Sequence, residues 1–497
     1  MMNLNALFDR CKIDVVSRGG AADTFVNDIV IDSRMVAPGV LYAAIPGTRV
    51  HGDEFIADAI KRGAAAVLSE NPHPEIGIPW VQTINIRGVV GNLGKVLWGF
   101  EQEKTVVAAV SGTNGKTTVA HLMEGLFSTV FPPDDVWMFG TIDYHVGSSR
   151  IEASRTTPEA LDIFRHVGGA SRQPSALVME VSSHSLALDR VGGIEFDLAL
   201  FTNLTQDHLD FHHDMESYFQ AKKRLFSDYL KKDGVAVINI DDQYGRRMCE
   251  AALPKRAVTY GRTDDADIRI VSWKCDWDGC SIDVMVRGTP CSFSSRLRGF
   301  FNIYNMTALV AAAAGLGYDT SAAQKAFDRV GIVNGRMERI AVDMPFTVVV
   351  DYAHTPDAID NALKTAREMT RGRLLCVFGC GGERDKLKRP LMGAAVAASC
   401  NEAWVTSDNP RSENPLKIID DIVNGIPLDF PFQADPDRRS AISAALRACR
   451  KGDCLVIAGK GHETYQDIAG VKHHFDDKEV VIEICDSLRM EKNHHVA

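Results

Sequence analysis

A strand-like apolar run that leads into a glycine loop and a lysine is the most informative part of this chain. Residues 105–118 read Thr-Val-Val-Ala-Ala-Val-Ser-Gly-Thr-Asn-Gly-Lys-Thr-Thr. Backbone N–H groups between Gly112 and Lys116 can face an anion, and the start of the next helix adds positive potential. Lys116 supplies a full charge, and the Thr117 hydroxyl is placed to bind the Mg²⁺ that accompanies a nucleoside triphosphate. We therefore predict a phosphate-binding loop.

The loop departs from the common G-x-x-x-x-G-K-[ST] pattern, because Val110 stands where that pattern has its first glycine. The alternative interpretation is a glycine turn between a strand and a helix, with a lysine that faces solvent. The apolar run before the loop and a second threonine, Thr118, after it favour phosphate binding.

A second group of candidate residues combines carboxylates with imidazoles. Glu180 ends an apolar run that starts at Ala176, and its carboxylate is a hard oxygen ligand suited to Mg²⁺. An acid–imidazole segment follows, with Asp207, His208, Asp210, His212, His213 and Asp214. This segment is also compatible with a polar surface loop or a zinc site. Since it has no thiolate and the chain has a triphosphate loop, magnesium is the simpler interpretation.

Composition limits the possible classes of protein. A chain of 497 residues exceeds what one hydrophobic core usually serves, so about two to four domains are expected. Hydrophobic residues make up 45% and charged residues 24%, which is ordinary for a globular protein. The net charge of −10 argues against a general binder of nucleic acids or anionic membranes. We therefore expect no nucleic-acid partner, and the net charge leaves room for a local basic pocket that binds an anionic substrate.

The cysteines and the N-terminus indicate the compartment. The 11 cysteines form no C-x-x-C pair, and Cys275 with Cys280, or Cys376 with Cys380, lack the further ligands of a zinc site. We interpret them as buried or free thiols, which suits a reducing compartment. The N-terminus lacks the apolar core of a signal peptide, and no segment approaches about 18 uninterrupted apolar residues. We predict a cytoplasmic protein without membrane insertion.

The elements around these residues indicate an α/β fold with three domains, at residues 1–103, 104–335 and 336–497. Buried strands are predicted at Val106–Val110, Ala176–Val181, Leu198–Thr202, Val235–Asn239, Phe346–Tyr352, Leu374–Gly379, Glu402–Thr406 and Cys454–Ala458, with helical patterns between them. This alternation implies mostly parallel sheets, with ligands at the carboxyl ends of the strands. Segment 266–298 is predicted as an insertion or an edge hairpin, and Met306–Gly315 as a buried helix.

Six motifs, in order and in wording, resemble those of the Mur ligase family, which makes the peptide of bacterial cell-wall precursors. They are Ser111–Thr118, Glu180-Val-Ser-Ser-His184, Asn203-Leu-Thr-Gln-Asp-His-Leu-Asp210, Asn302-x-x-Asn305, Gly335-Arg-Met-Glu338 and Asp351-Tyr-Ala-His-Thr-Pro356. The resemblance covers nearly the whole chain. It implies a small N-terminal α/β domain for a UDP-linked substrate, a central parallel-sheet ATPase domain and a C-terminal Rossmann-like domain for an amino acid.

The resemblance also implies an ATP site and a Mg²⁺ site. The implied ATP-binding residues are Gly112, Thr113, Asn114, Gly115, Lys116, Thr117, Thr118, Asn302, Asn305, Arg336, Asp351 and His354. The implied metal ligands are Thr117, Glu180, His208 and a carbamylated Lys222, and the implied catalytic residues are Lys116, Lys222, Glu180 and His208.

Two of these assignments have structural alternatives. Carbamylation of Lys222 requires a desolvated lysine with a lowered pKa, because only the neutral amine adds CO₂. The alternative is an unmodified lysine paired with a carboxylate, and Lys223 is the neighbouring candidate. Asp351 resembles a ribose-binding aspartate, and it is also in a position to cap the following helix.

Three further features resemble the family member that adds meso-diaminopimelate to UDP-N-acetylmuramoyl-L-Ala-D-Glu: Asp32-Ser33-Arg34, Thr156-Thr157-Pro158 with Ser182, Ser183 and Arg190, and Asp408-Asn409-Pro410-Arg411. The implied contacts for the UDP-linked dipeptide are Ser33, Thr156, Thr157, Ser182, Ser183 and Arg190. The implied contacts for diaminopimelate are Arg384, Asp408, Asn409, Pro410, Arg411, Gly459 and Glu463. Two arginines can pair with the extra carboxylate of diaminopimelate, whereas lysine has none. The Asn-Pro step taken alone is also compatible with a simple turn.

The resemblance therefore implies an ATP-dependent ligase that forms an amide bond through an acyl phosphate. Its implied substrates are ATP with Mg²⁺, the UDP-linked dipeptide and meso-diaminopimelate, and we expect a monomer. The alternatives are a lysine-adding member, a folylpolyglutamate synthetase and a catalytically silent nucleotide-binding relative. Gln206 and Leu188 depart from the family pattern at substrate contacts.

Overall fold

The computed structural model describes residues 1–20, 23–47, 50–252 and 256–494. It contains three α/β units, each built on its own sheet. This confirms the predicted α/β class with mostly parallel sheets. In the part of the chain that is described, no helix is both long enough and apolar enough to cross a membrane.

The N-terminal unit is a small sheet with helices packed beside it. Its elements are β1 (Met2–Asn3), α1 (Leu4–Cys11), β2 (Val15–Gly19), β3 (Phe25–Val26), β4 (Asp28–Val30), β5 (Val40–Ala43), α2 (Ile56–Lys61), β6 (Ala66–Ser69), β7 (Trp80–Thr83) and α3 (Ile86–Leu97). The sheet order is β2-β7-β6-β5-β4, in which only β2 runs antiparallel to its neighbour.

The central unit contains the largest sheet. Its elements are β8 (Val106–Ser111), α4 (Lys116–Phe127), β9 (Val136–Phe139), β10 (Asp143–Val146), β11 (Ser149–Glu152), α5 (Ala160–Gly169), β12 (Ala176–Glu180), α6 (Ser183–Ala187), β13 (Phe196–Phe201), α7 (Leu209–His212), α8 (Met215–Arg224), β14 (Leu230–Asn239), α9 (Gly245–Ala252), β15 (Arg256–Gly261), β16 (Ile268–Asp276), β17 (Gly279–Val286), β18 (Thr289–Ser295), α10 (Phe300–Leu316) and α11 (Ser321–Val330). The order is β11-β10-β9-β12-β8-β13-β14-β15-β16-β17-β18.

Parallel pairing dominates the middle of this sheet, whereas its two edges are antiparallel. The strands β16 to β18 form antiparallel hairpins, as predicted for segment 266–298. The buried helix α10 includes the alanine-rich run predicted at Met306–Gly315.

The C-terminal unit follows the central unit in the chain and has its own sheet. Its elements are β19 (Glu338–Ile340), β20 (Thr347–Asp351), α12 (Pro356–Met369), β21 (Leu374–Phe378), α13 (Lys388–Ser399), β22 (Glu402–Thr406), α14 (Pro415–Val423), β23 (Phe432–Asp435), α15 (Arg438–Ala448), β24 (Cys454–Ala458), β25 (Tyr465–Ile468), β26 (Val471–His474) and α16 (Asp477–His494). The main sheet has the order β19-β20-β24-β21-β22-β23, with β19 alone antiparallel.

The central strands β8, β12 and β13 position the candidate site. Almost every residue in them is buried, and strands without an exposed face read as continuous apolar runs. β8 pairs in parallel with β12 on one side and with β13 on the other. Because the three strands are parallel, their carboxyl ends meet at one edge of the sheet, next to the phosphate loop.

One sequence prediction about cysteines is wrong. Cys275 and Cys280, interpreted as free or buried thiols, form a disulfide. The two residues lie directly opposite each other in the antiparallel pair β16–β17, with Cα atoms 4.2 Å apart. That register brings the two sulfur atoms within bonding reach. Cys376 and Cys380 are buried free thiols, as predicted.

Candidate active site between the central and C-terminal units

A cavity of about 780 Å³ opens between the central and C-terminal units. Many of the predicted site residues line it: Thr113, Asn114, Gly115, Lys116, Thr117, Thr156, Ser182, His208, Arg336, His354, Arg384, Asp408, Asn409, Arg411, Gly459 and Glu463. The cavity therefore brings together residues from both units that lie far apart in the sequence.

The phosphate loop has the predicted strand–loop–helix geometry. β8 ends at Ser111, and α4 begins at Lys116 after Gly115, whose φ of 87° suits glycine. Gly112 also has a positive φ, and a Cβ atom there would lie 1.9 Å from the Thr202 hydroxyl. Lys116 Nζ donates to the carbonyl oxygens of Gly112 (3.0 Å) and Thr113 (2.8 Å). The ammonium is thus folded back over the loop that would cradle an anion.

Glu180 and Thr117 meet beneath this loop. Glu180 is fully buried, and its carboxylate accepts hydrogen bonds from the hydroxyls of Thr117 (3.1 Å) and Thr141 (3.0 Å) and from the Thr141 amide (2.8 Å). Because these three donors are neutral, they do not compensate the negative charge of the carboxylate, which remains available to a cation. The hydroxyl and carboxylate oxygens are the donors that Mg²⁺ prefers, so the residues fit a magnesium site.

His208 lies at the same cavity, in a chain of imidazoles. Its ring centroid is 4.7 Å from that of His184, in an edge-on arrangement. Burial lowers the pKa of His208 to about 3, and the nearby His184, Lys116 and Lys222 act in the same direction. The ring is therefore neutral near pH 7 and can offer a lone pair. Its neighbour Asp207 approaches Lys388 of the C-terminal unit at 3.9 Å.

Lys222 is the most completely buried lysine of the central site. Only 1% of its surface is exposed, and Nζ donates to the Gly112 carbonyl at 2.8 Å. Burial, assisted by the charge of Lys116, lowers the Lys222 pKa well below its usual value. Lys222 Nζ contacts this backbone carbonyl and also lies 4.9 Å from the centre of the Tyr218 ring. A neutral buried amine is the chemical state that carbamylation requires.

Arg336 connects the central and C-terminal units. One guanidinium nitrogen donates to the Thr117 hydroxyl at 3.0 Å, and the guanidinium carbon lies 4.8 Å from the centre of the Tyr352 ring. The Arg336 Nε atom is buried and has no hydrogen-bond partner among the described residues. A polar atom of this kind is available to a ligand.

The remaining predicted ATP residues take different positions. Asn305 Nδ2 donates to Asn302 Oδ1 at 2.7 Å, one helical turn away in α10, and Thr118 is buried in the first turn of α4. His354 lines the cavity, and burial lowers its pKa to about 4.

Asp351 is buried and accepts hydrogen bonds from the backbone amides of Met337 and Ala353. The helix cap suggested for Asp351 is made by Thr355 instead, because α12 starts four residues later than that interpretation requires.

On the opposite side of the cavity, three side chains form a polar network. Asn409 Nδ2 donates to Glu463 Oε2 (2.7 Å), and Lys460 Nζ lies 3.2 Å from both Asn409 Oδ1 and Glu463 Oε2. Burial and the charge of Asp408 raise the pKa of Glu463. Asp408 Oδ1 is buried without a hydrogen-bond partner in the described ranges, although Lys460 Nζ approaches to 3.8 Å.

The two predicted arginines of this side are held differently. Arg411 donates to the Gly382 carbonyl at 2.7 Å. Its backbone has a positive φ of 52°, and hydrogen bonds to Asp467 and Ala469 hold the loop in this conformation. Arg384 is exposed and makes a longer contact, 3.3 Å, to the Glu383 carbonyl. Pro410, between Asn409 and Arg411, is buried, and Gly459 lies beside the Asp408 carboxylate.

The residues predicted for the UDP-linked dipeptide are only partly brought together. Thr156 and Ser182 line the cavity. Thr157 and Ser183 lie behind them, with their hydroxyls bonded to the Glu180 carbonyl and to His212. Two more of the predicted contacts do not line the cavity: Arg190, which pairs with Glu159 at 3.3 Å, and Ser33, which is buried in the N-terminal unit.

Sequence reasoning missed several groups at this cavity. Thr141 binds Glu180 through two atoms, and Asp385 and Lys388 are buried beside Arg384. Asp385 Oδ2 has no hydrogen-bond partner among the described residues. A signal was present, since Asp385 and Lys388 follow the buried strand β21 in a run rich in charges, where open sheets place ligands. Nothing in the sequence marked Thr141.

Family models match most of the chain. They are the catalytic domain of the Mur ligase family over residues 26–95, the Mur ligase middle domain over residues 110–314 and the glutamate ligase domain of Mur ligases over residues 335–461.

Full-length relatives agree with these matches. The UDP-N-acetylmuramoyl-L-alanyl-D-glutamate--2,6-diaminopimelate ligase of Gloeobacter violaceus is 44% identical over 482 residues, which are 96% of this chain and 97% of that protein. The protein of the same name from Solibacter usitatus is 40% identical over 487 residues, with 97% and 98% coverage. A solved structure of a ligase of that name is 32% identical, with a TM-score of 0.67, and covers 97% of this chain and 99% of its own. The chain therefore belongs to the Mur ligase family, as its motifs predicted.

Proposed function

We propose that this protein uses ATP to join meso-diaminopimelate to the D-glutamate γ-carboxylate of UDP-N-acetylmuramoyl-L-Ala-D-Glu, a step of peptidoglycan precursor synthesis. One observation carries the proposal: a single cavity is lined by the phosphate loop on one side and by Arg384, Asp408, Asn409, Arg411 and Glu463 on the other. Relatives at 40–44% identity over nearly the full chain carry the name of this activity.

The proposed reaction has two steps. The γ-carboxylate oxygen attacks the terminal phosphorus of ATP, which releases ADP and gives an acyl phosphate. The diaminopimelate amine then attacks the acyl carbon, loses a proton, and the tetrahedral intermediate expels inorganic phosphate as the amide forms. Phosphoryl transfer depends mainly on positioning and on neutralised charge. Lys116 supplies a cation at the loop, and Arg336 supplies a second from across the domain junction.

We assign the Mg²⁺ ligands to Thr117, Glu180, His208 and Lys222. The contact of Thr117 with the buried Glu180 carboxylate and the neutral state of His208 support this set. When bound, Mg²⁺ neutralises charge on the phosphate oxygens. Carbamylation would convert Lys222 from a neutral amine into an oxygen anion suited to such a cation.

We propose that the cavity recognises diaminopimelate by its second amino-acid head, which consists of a carboxylate and an ammonium group. Arg384 and Arg411 can bind its carboxylate, and Glu463 with Asn409 can hold its ammonium. A lysine substrate would leave the arginines without a carboxylate partner. An unpaired polar group in a closed site makes the binding free energy less favourable, so we expect strong discrimination against lysine.

The reaction is tested by phosphate release from the purified protein with ATP, Mg²⁺ and the UDP-linked dipeptide. Parallel samples contain meso-diaminopimelate, L-lysine or no amino acid, and mass spectrometry identifies the product. We expect release that depends on diaminopimelate, with the tripeptide product. A preference for lysine would retain the ligase and overturn the assignment of Arg384 and Arg411. ATP binding without turnover on either amino acid would favour a catalytically silent relative.

The folylpolyglutamate alternative is less well supported. Such an enzyme has no reason to carry the segment Asp408-Asn409-Pro410-Arg411 together with Glu463 at one cavity. In the same assay, glutamate-dependent release with a folate acceptor, and none with the UDP-linked dipeptide, would establish that alternative.

The carbamylation of Lys222 has its own test. Protein equilibrated with ¹³C-labelled bicarbonate should show a carbamate carbon by NMR, because burial keeps the Lys222 amine neutral. Lys222→Ala should remove the signal, whereas Lys223→Ala, at the adjacent position, should keep it. The reverse pattern would move the modification to Lys223, and no signal in the wild-type protein would refute it.

We also propose that the three units act as domains 1–103, 104–335 and 336–497, and that the chain is a cytoplasmic monomer.

Closure about residue 335 would join the amino-acid site to the phosphate loop. Small-angle scattering with and without ATP and both other substrates tests this: identical curves would exclude a large closure. The same measurement gives the molecular mass, which decides between a monomer and an oligomer.

A further inference from the structure

A group of metal-ligand side chains lies in the central unit, outside the magnesium set assigned above. His121 is on α4, four residues after Thr117, and Asp143 and His145 are on the adjacent strand β10. One ligand atom from each residue lies within 4.8 Å of the other two. Residues 143 and 145 point to the same face of β10, since side chains alternate along a strand. The fold therefore aims two imidazoles and one carboxylate at one point.

The hydrogen bonds behind the two imidazoles favour metal binding. His121 Nδ1 lies 2.9 Å from the Thr117 carbonyl oxygen, which can only accept, so Nδ1 is the donor of this hydrogen bond. His145 Nδ1 contacts the Glu124 carboxylate, also on α4. Histidines that bind metals typically donate their second N–H to a carbonyl or a carboxylate, which fixes the tautomer and leaves the other nitrogen free to coordinate. This leaves Nε2 of each ring for coordination, and Nε2 of His145 already faces Asp143.

The distance between the Asp143 and His145 ligand atoms requires only a small adjustment, whereas His121 lies within 4.8 Å of both and would move closer on binding. His145 Nε2 lies 2.8 Å from Asp143 Oδ1, which without a metal is a hydrogen bond. Ligands about 2.0–2.2 Å from a tetrahedral ion are roughly 3.3 Å apart, so the carboxylate would move by about 0.5 Å. Asp143 keeps 27% of its side-chain surface exposed and can make this shift, whereas His145 is buried.

The donor set selects the class of metal. Two imidazoles and one carboxylate suit zinc and other divalent transition metals, whereas Mg²⁺ prefers oxygen ligands alone. Three protein ligands leave at least one coordination position for water. Arg150 lies 3.7 Å from Glu124, and Arg329 also acts on this carboxylate, so two positive charges nearby oppose a second cation. Arg150 reaches the supporting carboxylate, and it is also the strand partner of His145 in the antiparallel pair β10–β11.

We propose that His121, Asp143 and His145 bind one divalent transition-metal ion, with Zn²⁺ as the representative metal and Glu124 as the supporting carboxylate of His145. The ion would tie the first turns of α4 to β10. Both of these segments begin next to residues that hold the Glu180 carboxylate, namely Thr117 and Thr141. The site thus stabilises the framework of the phosphate loop without itself contacting the phosphates.

The test is a Zn²⁺ titration of the full-length, metal-stripped protein against a chromophoric chelator, with excess Mg²⁺ present. We expect one tightly bound Zn²⁺ per chain and a higher melting temperature with Zn²⁺. His121→Asn should abolish this binding, because asparagine can keep the hydrogen bond to the Thr117 carbonyl but lacks Nε2. Glu124→Gln should weaken Zn²⁺ binding by about 10–100-fold, the usual effect of losing a supporting carboxylate.

The control is His208→Asn, since the imidazoles around His208 are the competing Zn²⁺ site. This variant should bind Zn²⁺ like the wild-type protein. If Zn²⁺ binding is lost in His208→Asn and kept in His121→Asn, or if the wild-type protein binds no Zn²⁺ in excess Mg²⁺, the proposal is wrong. Circular dichroism without metal shows whether His121→Asn folds. If it does not fold, Asp143→Asn, whose side chain is partly exposed, decides the question in the same titration.

Discussion

The two sides of the cavity are built in different ways. The central side, formed by Lys116, Thr117, Glu180 and Lys222, holds its charged groups through bonds within one unit. The C-terminal side is formed by Arg384, Asp408, Asn409, Arg411 and Glu463. Two of its charged side chains, Arg384 and Asp408, are held by few hydrogen bonds. Arg384 is exposed, and the buried Asp408 Oδ1 has no hydrogen-bond partner among the described residues.

This difference matches two kinds of chemistry. Phosphoryl transfer is accelerated by charges that are already in position, so a rigid, buried arrangement serves it. Recognition of a zwitterion needs groups whose charges are satisfied only when the ligand is bound. We therefore expect substitutions on the central side to impair turnover with any amino acid, and those on the C-terminal side to impair the use of one amino acid.

The largest expected effect is on the central side. Lys116→Ala should lower kcat by about 10²–10³-fold with every amino acid tested, since it removes a positioned cation at the phosphates. Steady-state phosphate release measures this. Lys104→Ala, at an exposed lysine of the same unit, should leave kcat unchanged. A Lys116→Ala enzyme with wild-type kcat would refute the assignment of the loop.

The C-terminal side should respond with a smaller and more selective change. Hydrogen bonds to charged groups contribute about 1.5–3 kcal/mol each, so Arg411→Ala should lower kcat/KM for diaminopimelate roughly 10–150-fold, mainly through KM. Product formation at varied diaminopimelate concentration measures this. Arg439→Ala, an exposed arginine of the same unit, is the matched control. An equal loss in kcat at saturating diaminopimelate would show that Arg411 acts on turnover, which would remove the contrast between the two sides.

His354, where the two sides meet, should make stability depend on pH. Burial, together with the charge of Lys388, lowers the His354 pKa to about 4, below the unfolded value of about 6.5. The unfolded chain therefore binds a proton first, so the free energy of unfolding falls as the pH drops from about 6.5 to about 4. His354→Asn should reduce that loss by on the order of 1–2 kcal/mol, after a discount for partial exposure.

Denaturant unfolding at about pH 7 and about pH 5 measures this change. His473→Asn, at an exposed histidine of the same unit, should keep the wild-type difference between the two pH values. If His354→Asn also keeps that difference, the buried neutral imidazole at position 354 does not contribute to the pH dependence of stability.

The smallest expected effect concerns a direct contact between the two sides. Asn114 Nδ2 donates to Asp357 Oδ2 at 2.7 Å, which joins the phosphate loop to α12. A single hydrogen bond of this kind contributes about 0.5–1.5 kcal/mol, so Asp357→Ala should lower kcat/KM about 2–10-fold. Glu368→Ala, at an exposed position on the same helix, should have no effect. A loss as large as that of Lys116→Ala would mean that Asp357 belongs to the reaction site itself.

Much of the fold could be predicted because buried parallel strands have a strong local signal. The runs at Val106–Val110 and Cys454–Ala458 are apolar throughout, and both are strands of the predicted type. The hairpins of segment 266–298 were also predicted, but the opposition of Cys275 and Cys280 was not. That pairing depends on strand register, which only the completed hairpin fixes.

The candidate site was predictable where one short segment carries the chemistry. The phosphate loop is such a segment, because its glycines, lysine and threonine act through adjacent backbone groups. Where contacts join distant segments, the sequence had no comparable signal. Thr141 and Glu180, or Lys460 with Asn409 and Glu463, become partners only when loops from different strands meet.

The sequence by itself therefore determined the α/β class, the family and the residue types of the phosphate loop and of the Asp408–Arg411 segment. Only the tertiary structure decided which groups share one cavity, which charges are buried without a partner, and which imidazoles are neutral. The physical reason is that local patterns set backbone conformation over a few residues. Burial, hydrogen-bond partners and pKa values depend on segments that are distant in the chain and packed together in space.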